Sequence, residues 1–249
     1  MHVLSRAQER GYRGVRERGR ESVGGIVSRI FISSSGTEVG KTFVTSVLIG
    51  QLKAAGHSVD ALKPVATGYD LLNPAASDSG ELLAALGRDV DSEHVEQITP
   101  WRFAAALSPN MAAALEQRSV PFRELADFCA EKRESDVTLI EGIGGIMVPL
   151  DGDHTVLDWV EALASPVLLV VGGYLGTLSH TLTAVEALLA REQQLAGVIV
   201  NESTEQPVSL AETANVIERF ICPTPVVTLP RLDCHEQAPD LLPLIAPFL

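Results

Sequence analysis

Cysteine is scarce in this 249-residue chain: only Cys129, Cys222 and Cys234 occur. An odd number without metal-ligand spacing excludes a disulfide framework or a zinc module. They read as reduced thiols, buried or incidental, in a cytoplasmic protein. Positive charge is also short, with 19 Lys and Arg against 32 Asp and Glu and a net charge of −13. That balance argues against wholesale attraction to nucleic acid or an acidic membrane, while leaving room for a local basic groove such as a phosphate site. No apolar run approaches the ~20 residues needed to span a bilayer. Internal repeats and a linker between two domains are absent as well. What remains is an ordinary globular composition, 46% hydrophobic and 20% charged, long enough to bury one large core.

Residues 1–28 differ from the rest. They carry Arg6, Arg10, Arg13, Arg16, Arg18 and Arg20 with several glycines and almost no apolar periodicity. No apolar core of a signal peptide is present, and Glu9, Glu17 and Glu21 count against an organellar transit peptide. The segment reads as a disordered Arg-rich extension, leaving residues 29–249 as a single domain.

That domain is organised around Arg29 to Phe43, R-I-F-I-S-S-S-G-T-E-V-G-K-T-F. An apolar run (Ile30, Phe31, Ile32) passes through small polar residues to Gly40-Lys41-Thr42, and helix-compatible spacing follows at Val44, Val47, Leu48 and Leu52. Strand, Gly-rich turn and helix are the context a phosphate-binding loop requires. A helix N-terminus offers free N–H groups and partial positive charge. Here the backbone of Gly36, Thr37, Glu38, Val39 and Gly40 would cradle a polyphosphate, Lys41 would reach its β and γ phosphates, and Thr42 would ligate Mg²⁺. Ser35 stands where the general pattern has its first glycine.

Further along, Val59–Val65 reads as a second strand ending in Lys63-Pro64, with Thr67-Gly68 just beyond. Residues 70–80 are loop-like, a short helix covers Glu81–Leu86 with Asp78 at its entrance, and 89–109 reads as an irregular excursion before a helix near Met111–Gln117. Pro121–Lys132 has a helical start. Val137–Ile140 is a third strand ending in Glu141-Gly142, and Pro166–Val171 is an unbroken apolar run suited to a sheet covered on both faces. A helix over Leu178–Arg191, a strand over Gly197–Val200 ending at Asn201, a helix over Val208–Phe220 and a strand over Pro225–Leu229 complete the alternation. The tail is apolar but interrupted by Pro239, Pro243 and Pro247.

Alternating strands and helices predict an α/β fold: a P-loop NTPase-like parallel sheet with helices on both faces. Right-handed crossovers would bring the strand ends to one edge, where ligands of open α/β sheets bind. Lys41, Thr42, Lys63, Thr67, Glu141 and Asn201 all follow strands, so they are expected to converge. Thr42, Asp78 and Glu141 can supply hard oxygen ligands to Mg²⁺ on a triphosphate. Asp78 is equally explained as a helix N-cap, Glu141 as a surface or capping acid, and Lys63 as a snorkelling surface lysine. A second lysine beside the loop otherwise suggests a site holding more negative charge than ATP alone.

The motifs S-G-T-E-V-G-K-T, K-P-V-A-T-G, S-D, E-G-I-G-G-I-M-V-P-L, L-G-T-L-S-H and V-N, in this order, resemble dethiobiotin synthetase from about Arg29 to Leu249. The resemblance implies ATP- and Mg²⁺-dependent closure of the ureido ring from 7,8-diaminononanoate and CO₂ or bicarbonate. The intermediates would be a carbamate and a carbamic–phosphoric anhydride, and the enzyme a cytoplasmic homodimer. It implies catalytic roles for Lys63, Lys41 and Thr37, with Thr37 at the junction of phosphate and substrate. Lys63 and Thr67 would hold the diamine's carbamate and the transferring phosphoryl group, and Gly144 would belong to the substrate site. Thr177, Leu178 and Ser179 would receive its carboxylate across the dimer. Asn201 would read the adenine edge, Leu229 and Pro230 would complete the nucleotide's contacts, and Thr42, Asp78 and Glu141 would form the metal shell. Departures from the family pattern are Ser34 for a common glycine, Gly36 for a frequent acid, Tyr174 where some members carry lysine, and Glu202 after Asn201.

Two rivals share the architecture. A cobyrinate-diamide-type amidotransferase would be expected to continue into a glutaminase domain. A switch ATPase of the partition or division-site type places a lysine early in its loop, where Ser33-Ser34-Ser35 stand here. Its membrane-seeking members end in a basic amphipathic helix, unlike this proline-broken tail.

Overall fold

A computed structural model describes residues 28–232 and 234–249. The Arg-rich segment of residues 1–28 therefore lies, except for Ser28, outside the described residues. Eight strands and nine α-helices occur among those described. The strands are β1 (Ser28–Ser34), β2 (Val59–Leu62), β3 (Val65–Thr67), β4 (Trp101–Phe103), β5 (Val137–Glu141), β6 (Val167–Gly172), β7 (Leu195–Asn201) and β8 (Val226–Leu229). The helices are α1 (Lys41–Ala54), α2 (Asp78–Leu86), α3 (Ser92–Ile98), α4 (Pro109–Leu115), α5 (Phe122–Ala130), α6 (Val156–Leu163), α7 (Thr177–Ala190), α8 (Leu210–Ile221) and α9 (Leu242–Ile245).

Six strands form one parallel sheet in the order β2-β5-β1-β6-β7-β8. The chain leaves central β1 towards β2 and later returns through β5 to β6, β7 and β8, so the order reverses beside β1. With right-handed crossovers, opposite directions of travel put α1 on one face and α5 to α8 on the other. Packing agrees: α1 meets α2 and α9, α5 meets α6, and α7 meets α8. Alternation along β1 supplies both halves of the core. Phe31 meets Trp159 of α6 edge-on at 4.9 Å, while Ile30 and Ile32 take the opposite side with Val44, Val47, Leu48 and Leu52 of α1, all buried. No helix among the described residues is long and apolar enough to cross a membrane.

Three stretches differ from the sequence expectation. The second strand stops at Leu62 because Pro64 has no N–H to extend a ladder. Val65–Thr67 instead pairs with Trp101–Phe103 as a separate two-stranded parallel sheet. The region from 89 to 109 is not wholly irregular. Asp91 caps α3 by accepting from the N–H groups of Glu93 and His94, and β4 follows. Helix α6, for which the reading above has no counterpart, carries a capping box. The Asp158 carboxylate accepts from Thr155 N at 2.7 Å, just ahead of an apolar run. T-x-x-D before V-L-D-W-V was the available signal. Cys129 is buried, and burial pushes its thiol up to about 12; Cys222 is exposed.

Candidate active site

The turn after β1 becomes a cradle through two left-handed residues, Glu38 (φ 57°) and Gly40 (φ 89°). None of the backbone N–H groups of Gly36, Thr37, Glu38, Val39 or Gly40 is engaged by another backbone acceptor among the described residues. A run of free N–H groups ahead of a 14-residue helix is an anion site. Lys41, the first residue of α1, is buried, and its Nζ donates to Ser34 Oγ at 3.2 Å. Burial first, then repulsion by Lys63, outweighs the attraction of Glu141 and Asp78 and lowers Lys41 to about 8.

The sheet edge assembles the remaining charges. Glu141 ends β5 in register with Ile32, hence on the α1 side, and is fully buried. Thr42 Oγ1 donates to its Oε1 at 2.9 Å and Thr45 Oγ1 to its Oε2 at 2.9 Å. Lys63 is 2% exposed. Its Nζ lies 2.6 Å from Glu141 Oε1, 2.9 Å from Asp78 Oδ2 and 3.0 Å from the Gly142 carbonyl. Burial by itself would lower Lys63, but the two carboxylates reverse that and hold it above the usual lysine value. Asp78 moves the other way: burial opposes its charge, yet Lys63 and the Thr42 hydroxyl pull its carboxyl below the usual range.

These contacts set aside the bland placements of single residues. Lys63 is no snorkelling surface lysine, and Glu141 is neither exposed nor a cap. The cap of α2 is Ser77, which accepts from Gly80 N at 3.1 Å, so the Asp78 carboxylate is free for Lys63. Asn201, at the end of β7, sends its Nδ2 to the Val39 carbonyl at 3.0 Å. Leu229 pairs with Asn201 in register, with Pro230 exposed beyond it.

Other expected residues stand apart. Thr67 ends β3 on the small sheet and makes none of the cluster's hydrogen bonds. Thr177 spends both its donors within its own turn, Oγ1 on Gly172 O at 2.6 Å and N on Tyr174 O at 3.1 Å. It therefore shapes the start of α7, where Leu178 and Ser179 are exposed. Gly144 (φ 56°) faces the loop: a Cβ there would lie 3.6 Å from Thr37 Oγ1 and 2.6 Å from Val148. Thr37 is exposed and borders a cleft of about 430 Å³ that runs from Ser35 and Gly36 past Gly145–Val148 to His180, Thr183 and Ala184.

Two participants escaped the sequence reading. Thr45 sits three residues after Thr42, a spacing that puts both hydroxyls on one helix face and could have revealed it. Ser34 accepts from Lys41 and lies 2.7 Å from the Gly144 carbonyl, a long-range contact with no sequence signal.

A parallel sheet with this order, a free N–H cradle at a helix start and a buried lysine beside a carboxylate pair define a P-loop nucleotide-binding protein. The profile of the family described as "AAA domain" matches residues 28–236. The ATP-dependent dethiobiotin synthetase BioD of Acidiphilium cryptum is 47% identical over 202 residues, covering 80% of this chain and 91% of its own length. That of a Caulobacter species is 42% identical over 224 residues, covering 88% and 96%. Among solved structures, apo McdA of Cyanthece superposes with a TM-score of 0.51 at 12% identity, over 84% of this chain and 88% of its own, a likeness of fold alone. The chain belongs to the ATP-dependent dethiobiotin synthetase family, ligases of biotin synthesis that use ATP as co-substrate.

Proposed function

We propose that the chain closes the ureido ring of dethiobiotin from 7,8-diaminononanoate, CO₂ and ATP, through a carbamate and a carbamic–phosphoric anhydride. The observation that carries this reading is the buried Lys63 ammonium between Asp78 and Glu141, next to Lys41 and the N–H cradle. Two cations beside a phosphate loop suit a phosphoryl group moving onto an already anionic carbamate.

The first amine attacks the carbon of CO₂, its C–N bond forming as one C=O π bond becomes a carboxylate and the amine proton leaves to solvent. A carbamate oxygen then bonds to the γ phosphorus while the bond to the β–γ bridging oxygen breaks, releasing ADP. The second amine then attacks the carbamate carbon. Its C–N bond forms as the C–O bond to phosphate breaks, and the amine proton leaves with the departing phosphate or solvent. Lys41 and Lys63 offset charge on the moving phosphoryl group, Thr37 orients the junction between nucleotide and carbamate, and Gly144 lets the loop pass close to it. Attack within one molecule supplies proximity worth ~7–11 kcal/mol.

The donor set also suits Mg²⁺. Thr42, Asp78 and Glu141 supply hard oxygen donors at the end of the phosphate loop, the ligand type Mg²⁺ prefers. When bound, the metal would neutralise phosphate charge. Met147 (56% exposed) lines the cleft, and Leu175 (85%) and Leu178 (37%) present apolar side chains beside the start of α7. They support a homodimer in which the start of α7 serves the neighbouring site.

The test is turnover with defined substrates. ADP release should require diaminononanoate, bicarbonate and Mg²⁺ together, with dethiobiotin formed in equal amount. ATP hydrolysis that is indifferent to the diamine would overturn the reading.

A further inference from the structure

A residue outside the phosphate cradle reaches into it. Asn201 Nδ2 lies 3.0 Å from the Val39 carbonyl oxygen. The orientation of this amide follows from its acceptor: a carbonyl can be met only by the NH₂ arm, so Oδ1 is left free. Val39 itself is buried and stands between the left-handed residues Glu38 and Gly40.

Holding that oxygen has a geometric consequence. A trans peptide is planar, with its C=O and N–H pointing in opposite directions. Fixing the Val39 carbonyl on Asn201 therefore sends the Gly40 N–H the other way. Glycine at 40 makes the plane between residues 39 and 40 easy to rotate. Rotated, it would put a carbonyl oxygen where the cradle needs a donor. The fit is close as well: a Cβ on Gly40 would fall 2.0 Å from Asn201 Nδ2, so the side-chain amide packs directly against the bare α-carbon.

We propose that Asn201 is a positioning residue for the phosphate cradle. It locks the Val39–Gly40 peptide so that the Gly40 N–H, with its neighbours, faces the nucleotide's phosphates. Its free Oδ1 stays available to a base amino group, so one side chain couples base recognition to phosphate grip. The inference rests on reading the loop as the ATP site.

The experiment compares the unmutated protein with Asn201→Ala and Asn201→Asp; the latter keeps an acceptor and loses the donor. Hydrogen–deuterium exchange over residues 36–41 is compared with and without saturating inorganic tripolyphosphate, with β5 and β6 as the control for global folding. The slowing of loop exchange that tripolyphosphate produces should shrink about tenfold in both variants while β5 and β6 stay protected. Affinity is then measured for ATP and for inorganic tripolyphosphate, which has no base. Both should weaken by about tenfold in Asn201→Ala. Loop protection by tripolyphosphate that is unchanged in the variants overturns the proposal, as does weaker ATP binding with unaltered tripolyphosphate binding, the signature of a residue that reads only the base. If the unmutated protein binds neither ATP nor tripolyphosphate, the nucleotide-site reading fails instead.

Discussion

Replacing Lys63 with methionine should destabilise the fold itself, not only the chemistry. The substitution removes an ammonium 2.6 Å from Glu141 and 2.9 Å from Asp78. Glu141 then stays fully buried with only the hydroxyls of Thr42 and Thr45 as donors. Removing one partner of a buried pair costs about 3–5 kcal/mol, because the other charge remains desolvated. Asp78 adds little to that figure, since its side chain is 50% exposed and water can replace the lost partner. For a domain of this size the loss corresponds to a fall in Tm of roughly 6–20 °C. Urea unfolding by linear extrapolation measures it directly.

The same reasoning requires non-additivity. In the double variant Lys63→Met/Glu141→Met no buried charge is stranded, so it should cost less than the sum of the two single variants by more than about 1 kcal/mol. The pH dependence has a definite sign. Lys63 is held above its ordinary value, so its contribution is complete below pH 10.5 and is lost as pH rises through the folded value. Asp78 is held below 3.8, so its share is present above that value and is lost as pH falls through the folded one. The deficit of Lys63→Met should be widest between these limits. A single-variant cost under about 1 kcal/mol, or a double variant equal to the sum, would refute the argument.

Three other outcomes are expected. Asp78→Asn and Glu141→Gln should each raise the Mg²⁺ concentration for half-maximal activity; an unchanged titration would remove that residue from the metal set. With Lys41 lowered to about 8, its charged form is lost above that pH, so kcat/KM for ATP should decline on an alkaline limb near pH 8 that Lys41→Arg abolishes. A flat profile from about pH 7 to 9.5 would contradict this. A Cβ at Gly80 would fall 2.4 Å from Pro74 O and 2.8 Å from Ala75 Cα, both backbone atoms. Gly80→Ala should therefore shift the start of α2 and reproduce the metal defect of Asp78→Asn; normal Mg²⁺ dependence would argue that Asp78 is placed by other means.

Much of the scaffold was legible in one dimension because its signals are local. The apolar run of β1, the glycines after it and the period of α1 together specify strand, turn and helix, and the unbroken V-L-L-V-V of β6 specifies a strand covered on both faces. Where competing signals overlapped, the reading slipped. Pro64 divided what looked like one strand between two sheets, and short elements such as β4 and α3 had too few residues to show a period. Residue types at strand ends gave the list of Lys41, Thr42, Lys63, Glu141 and Asn201, because a parallel sheet must bring such ends to one edge.

Sequence alone thus determined the fold class, the phosphate loop and the family, all of which follow from patterns within short windows and their order. Only the tertiary structure decided that Lys63 is buried between Asp78 and Glu141, that Ser77 and not Asp78 caps α2, that Thr177 is consumed by its own turn, and that Asn201 holds the Val39 carbonyl. Each of these is a choice of hydrogen-bond partner across many residues. Partner choice depends on which groups are desolvated together, a property of packing that no spacing along the chain encodes.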